Sequence, residues 1–529
     1  MSYSGLTASR LPWVTGMVSA VAATAVLGTV VASGPAAAVT VPAIVAPTAS
    51  VSMLSATPTS SRVIGADYFG INAYGIAPSP AFGAGVNAAT ALPATTFGTV
   101  RFWDAPATLS TRWCDVQPTA TANIEANLRA RLDPKIDASA KSRASRVVIV
   151  VGHAAPWVFA KTRSPGVPAI STAPQPAAPW FCGGQQSAIA MPSTRYLGTA
   201  AAPGPAWKSW SHYVGSLVRH INAKYRGSLP FEVALQTVNE PNGLLNISGR
   251  VPNSATTAVE AATSTAVYDA IVRWNLSHLP GLDRAHFKLF TAPLTSPTGL
   301  FAARYLKLAE ASQVKARRYD GFSLQTYSQQ SAVALTARQL VTLYNTGRIQ
   351  AFTRVLPSYP TLAKLPRHQT ETNHGLTLST ATAARRLWFS TSDQNMMLSR
   401  LMIDGLRWNL ASQSLYTINP GLQFPISLRT LANGTIQTDP ALVRSISVVQ
   451  RWLIGSRFDG CGVRDGIVSC TLTNPISGRA NHIMYVDDGS TRLIPVRLSH
   501  HTAEHVSGAV QQLTLGSTIL LDGTPRLIS

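Results

Sequence analysis

Acidic side chains are scarce in this chain: 23 Asp and Glu stand against 44 Lys and Arg, for a formal net charge of +21. Charge of either sign is scarce as well, at 13% of 529 residues, while 46% are apolar. That balance excludes a disordered chain and suits a globular one with a sizeable core. A field of this sign attracts anionic matter, whether nucleic acid, an acidic polysaccharide or an anionic cell envelope. Basic runs are missing, however. The Arg residues are spread singly, so no dedicated nucleic-acid stripe is expected.

Cysteine is nearly absent, with four in all, and no CxxC or Cys/His spacing suggests zinc. An even count in an exported chain points to two disulfides. Cys461 and Cys470 bracket Asp465-Gly466, a hairpin turn signal, and should pair across it; by elimination Cys114 pairs with Cys182. Export itself is read from the N-terminus, where Arg10 precedes an apolar stretch from Val14 to Val31 and the small residues Ala36-Ala37-Ala38 follow. This pattern is a signal peptide over 1–38, with an uncleaved membrane anchor as the competing reading. Residues 39–60 are rich in Ala, Pro and Thr and read as a linker.

Internal repeats are also lacking, so organisation has to come from strand and helix signals. Eight apolar or β-branched runs occur in order, at Val63–Tyr74, Phe97–Trp103, Arg146–Gly152, Phe231–Asn239, Phe287–Ala292, Tyr319–Tyr327, Leu365–Glu371 and Ser414–Ile418. Helical spacing fills several of the gaps, as at Trp207–Tyr225, Val267–Leu279 and Asn395–Asn409. Eight alternations predict an α/β fold, a (β/α)8 TIM barrel over 61–425, since parallel neighbours need crossovers. An open doubly wound sheet is the alternative, but no Gly-rich phosphate loop follows the first run. After about Gln423, short β-like runs alternate with turns, apart from a helical Pro440–Leu453, so 426–529 is expected to be a small all-β, sandwich-like domain.

In such a barrel the chemistry sits at the C-terminal strand ends. Glu240 closes the fourth run in Thr-Val-Asn-Glu-Pro-Asn, and Glu371 closes the seventh in His-Gln-Thr-Glu-Thr-Asn-His-Gly. Strands four and seven face each other across a barrel mouth, and glycosidic cleavage needs one carboxylic acid and one carboxylate on either side of the bond. Asn239-Glu240-Pro241 and Thr370-Glu371 resemble clan A glycoside hydrolases, and more narrowly secreted proteins similar to glycoside hydrolase family 39, over roughly residues 61–425. The resemblance implies Glu240 as acid/base, Glu371 as nucleophile and Asn239 as a ligand of the sugar 2-hydroxyl. It implies further that Arg101, in Val-Arg-Phe-Trp, pairs with the nucleophile and that Tyr327 borders it. The chain departs from the family's usual pattern at Gln325, where His is usual, at Val238, where an aromatic is usual, and at Tyr416, where strand eight often ends in Trp.

Around these residues, Trp103, Trp113, Trp157 and Trp180 are candidate sugar platforms, and His153 and His374 are candidates for bonding sugar hydroxyls. A loop of some fifty residues after the third run, holding Trp157, Trp180 and Phe181, would rise over the pocket, fastened by Cys114–Cys182. One rival motif is His501-Thr-Ala-Glu504-His505, a zinc-peptidase spacing that works only on a helix, whereas its neighbours read as strands. A barrel that binds carbohydrate at the envelope without turnover is the other alternative. The expectation is therefore a secreted or envelope-associated monomer acting on a carbohydrate, with the positive charge favouring an anionic or cell-wall glycan, and with no nucleic acid, metal or cofactor.

Overall fold

The computed structural model describes residues 62–72, 97–102, 111–152, 203–226, 228–242, 255–330, 335–377, 389–416, 429–430, 436–437, 440–488, 490–496 and 501–529. The expected signal peptide and linker lie outside these residues. Among the described residues, no helix is long and apolar enough to cross a membrane.

Eight parallel strands form one curled sheet: β1 (Phe69–Asn72), β2 (Thr99–Phe102), β3 (Arg146–Val150), β4 (Glu232–Gln236), β5 (Phe287–Leu289), β6 (Phe322–Gln330), β7 (Arg367–Thr377) and β8 (Leu410–Leu415). Their order is β5-β4-β3-β2-β1-β8-β7-β6, so chain neighbours are sheet neighbours and β8 lies beside β1. At the two ends of this order, parallel bridges join Phe290 to Gly321 and Leu294 to Leu324. The crossovers include helices α1 (Ile124–Arg131), α2 (Asp133–Lys141), α3 (Pro205–Lys224), α4 (Ala255–His278), α5 (Leu300–Ala316), α6 (Ala337–Leu343) and α7 (Thr391–Arg407).

Period-two alternation explains which side chains face the helices and which face inward. Val147, Ile149, Val233, Leu235 and Leu289 belong to the main core under the helices. Val148, Ala234 and Phe290, on the opposite face, make a small apolar cluster of their own. His368 stacks on the Phe290 ring at 4.1 Å and so extends that layer. Further along the strands the inward positions turn polar, and the candidate site begins there.

The second body is antiparallel. It holds β9 (Arg457–Arg464), β10 (Ile467–Thr473), β11 (Ala480–Val486), β12 (Arg492–Pro495), β13 (Thr502–His505), β14 (Val510–Gln512), β15 (Thr518–Leu521) and β16 (Arg526–Ile528). The larger sheet runs β9-β10-β11-β16-β13-β14, and β12 pairs with β15. Val486, Ala503 and Ile528 from the first and Ile519 and Leu521 from the second share one apolar cluster. The hairpin between β9 and β10 turns on Asp465 and Gly466, both with positive φ, and Cys461 and Cys470 are disulfide-bonded across it.

Several expected boundaries shift, and the seventh strand runs on past Glu371 to Thr377. The first run divides: Arg62–Val63 pairs with β9 of the second sheet, and only Phe69–Asn72 enters the parallel one. The eighth strand begins four residues earlier than expected, at Leu410. Helix α8 (Pro440–Leu453) is where its periodicity put it, and it packs Val449 and Trp452 into the main core.

Candidate active site

The polar inward layer centres on Arg101, next to last in β2 and with none of its surface exposed. A buried guanidinium carries five donors and no acceptor, so each N–H has to find an oxygen. Nε donates to Gln236 Oε1 at 2.8 Å, Nη1 to Asn72 Oδ1 at 2.9 Å and Nη2 to Asn239 Oδ1 at 2.6 Å. Nη1 also forms an ion pair with Glu371. These contacts connect the neighbours β1 and β2 with β4 on one side and β7 on the other, which the curl of the sheet brings together.

Glu371 is 3% exposed. Its second oxygen accepts the Tyr327 hydroxyl at 2.6 Å, from the neighbouring β6. Burial first, and then the charges of Glu371 and Glu240, raise the Tyr327 hydroxyl well above its ordinary value, so it remains a donor. Glu371 touches this hydroxyl directly, and Glu240 acts on it through its charge. Tyr416, just past β8, meets the same ring edge-on at 6.3 Å.

Glu240 follows β4 by four residues and is partly exposed, unlike Glu371. The amide of Gln325 from β6 lies between the two halves of the cluster. With its oxygen toward Arg101 Nη2, at 2.9 Å, its nitrogen donates to Glu240 Oε1 at 2.8 Å. In that orientation Glu371, Arg101, Gln325 and Glu240 form one hydrogen-bonded chain; in the other, Gln325 Nε2 donates to Asn239 Oδ1 at 3.0 Å. Gln236 and Thr370 brace it from beneath: Gln236 Nε2 donates to Ser323 Oγ at 2.8 Å and to Thr370 Oγ1 at 3.3 Å.

Six of the sequence-derived residues are brought together here: Arg101, Asn239, Glu240, Gln325, Tyr327 and Glu371. His374 is placed elsewhere. It is wholly buried, its Nδ1 within 2.7 Å of Ser328 Oγ and its ring edge-on to Tyr344, and burial, with Arg400 nearby, pulls its imidazole down to about 3. It therefore faces the helices, not Glu371. Trp113 is likewise a core residue, with no exposure, stacked on Tyr213 and tilted against Trp210. Trp103, His153, Trp157, Trp180, Phe181 and Cys182 lie outside the described residues; Cys114 is disulfide-bonded. His501 precedes β13, Glu504 and His505 lie on it, and Glu504 pairs with Arg451 and accepts from Trp452 Nε1 at 2.8 Å, so the motif is not helical. Among the described residues no group of three or more His, Cys, Asp or Glu could hold a metal.

The sequence reading missed Asn72 and Gln236. Each closes a short apolar run, Phe-Gly-Ile-Asn and Glu-Val-Ala-Leu-Gln, and a buried amide at an inward strand end is the signal that could have found it.

No protein-family model matches the chain, and no curated protein is detectably similar in sequence. Its fold is similar to that of a family 39 glycoside hydrolase from the gut symbiont Bacteroides cellulosilyticus WH2, with a TM-score of 0.52 and 12% identity over 88% of this chain and 82% of that one. Weaker likenesses are to endo-glycoceramidase II from Rhodococcus sp., at 0.44 and 12% over 89% and 99%, and to SrfJ from Salmonella typhimurium, at 0.44 and 10% over 89% and 91%.

Proposed function

We propose that the protein is a retaining glycoside hydrolase on a closed (β/α)8 barrel, exported and acting as a monomer on an anionic or cell-wall glycan outside the cell or at its envelope. The observation that carries this reading is the chain of bonds from Glu371 through Arg101 and Gln325 to Glu240. It offers one enclosed carboxylate on β7 and one more open to water, four residues past β4. The fold shared with a family 39 glycoside hydrolase adds support.

In the first step a Glu371 oxygen attacks the anomeric carbon as the glycosidic C–O bond breaks, and the proton of the Glu240 carboxylic acid passes to the departing oxygen. In the second, Glu240 takes a proton from water, whose oxygen attacks the same carbon and frees Glu371. Retention requires carboxyl groups about 5 Å apart. In this reading Asn239, held by Arg101, bonds the sugar beside the reacting carbon, and Tyr327 steadies the nucleophile.

The test is Glu371→Gln. It should abolish release of reducing ends from aryl glycosides and envelope polysaccharides while leaving binding intact. Equal activity in the variant and the parent would reject the assignment.

A further inference from the structure

Six non-glycine residues among those described have a positive φ: Arg143, Arg226, Glu240, Arg317, Asn409 and Asp465. Five of them close a helix or turn a hairpin, where the left-handed region is ordinary. Glu240, at +41°, is the exception, since it stands at the exit of a strand. A residue with a Cβ stays in that region only where its surroundings over-determine it.

The surroundings are specific. Thr237, three residues before Glu240 and wholly buried, donates its hydroxyl to Asp269 Oδ1 on α4 at 2.6 Å. The other oxygen of Asp269 receives the hydroxyls of Tyr305 at 2.7 Å and Tyr319 at 2.8 Å. The Tyr305 oxygen in turn accepts from the Ala292 amide at 2.8 Å. One carboxyl group is thereby tied to the exits of β4 and β5 and to the approach to β6. On the other side of Glu240, Asn242 donates to Ser296 O at 3.0 Å and accepts from Thr295 N at 3.1 Å. Asp269 has no exposed surface, and its three bonded donors are all hydroxyls. A carboxyl group buried in this way is costly to keep, and an apolar residue would fill the space without that cost.

We propose that Asp269 is a positioning residue: through Thr237 it fixes the backbone path that turns the Glu240 carboxyl toward Gln325. The role rests on the hydrolase reading, but the two can fail separately. Crystal structures of the parent, Thr237→Val and Tyr319→Phe come first. Thr237→Val should release Glu240 from its left-handed backbone, while Tyr319→Phe, which removes a different bond to the same carboxyl, should not. Glu240 unmoved in Thr237→Val overturns the proposal, whatever the protein hydrolyses.

Kinetics supply the second measurement. Aryl glycosides with poor leaving groups need the proton from Glu240, whereas dinitrophenyl glycosides release a stable phenolate without it. Thr237→Val should lower kcat about tenfold on the first kind with KM little changed, and hardly at all on the second. Tyr319→Phe should keep both rates even if it lowers stability equally. Equal losses on both substrates would mark a general structural defect and overturn the proposal. A parent inert to every aryl glycoside, together with the expected movement of Glu240, would remove the hydrolase reading and leave the backbone role of Asp269 standing.

Discussion

His374 and His368 show what burial does to single side chains away from the site. Each is enclosed, and burial is the first cause lowering its imidazole, with Arg400 adding to the effect at His374 and Arg146 and Arg62 at His368. The folded protein refuses a proton that the unfolded chain accepts near the ordinary value of 6.5. The stability these rings confer is therefore complete above about pH 6.5 and withdrawn as pH falls toward the folded values. For His374, with a folded value of about 3, the loss should reach about 3 kcal/mol between about pH 6.5 and pH 4. Denaturant midpoints should fall over that interval, and His374→Asn should flatten the slope; a variant as acid-labile as its parent would reject the assignment. The same enclosure explains why His374 misled at the sequence level. It lies three residues past Glu371 and looks available to substrate, but the pairing of β6 with β7 is regular between the two, so the odd spacing sets His374 on the opposite face of the strand. Glu240, Glu371 and Asn239 were legible because they end apolar runs within recognisable short motifs. Asn72, Gln236 and Asp269 were not, because their roles depend on which distant residue the curl brings beside them.

Among the elements, α7 links the two bodies. Its Arg400 lies over the Tyr485 ring at 4.0 Å, bonds Asp404 at 3.1 Å and pairs with Asp487; Arg407 reaches Asp487 at 2.8 Å, and Tyr485 donates to Asp404 at 2.6 Å. Burial would raise the Asp487 carboxyl, but the two guanidinium groups bring it below its usual range. Removing one member of such a network strands the others without water. Arg400→Met should therefore cost about 3–5 kcal/mol in unfolding free energy, read from denaturant melts. A loss below about 1 kcal/mol, typical of exposed pairs, would show the network to be dispensable. Element types were largely legible in the sequence, and their limits less so. Helix α4 begins at Ala255, twelve residues before the expected Val267, because its first half, Ala-Thr-Thr-Ala-Val-Glu-Ala-Ala-Thr-Ser-Thr-Ala, offers small residues all round and little contrast between faces.

For the molecule as a whole, the main core does not respect the expected boundary near residue 425. It runs from Ile71 and Val147 under the parallel sheet through α8 to Phe458, Val468, Leu472 and Tyr485 in the antiparallel one. A continuous core with buried ions at the junction predicts one cooperative thermal transition, with calorimetric and van't Hoff enthalpies agreeing. Two separated peaks would show that the bodies melt independently. The change from a parallel to an antiparallel sheet was legible in the composition; the union of the two was not, because it depends on Arg62–Val63 leaving its own run to join the far sheet. That short segment has a consequence for how the protein is made. Arg62 lies opposite Phe458, roughly four hundred residues later in the chain. A polypeptide emerging from ribosome or translocon, amino end first, must hold the segment unclaimed until nearly all of the rest has followed, so final assembly waits on completed synthesis.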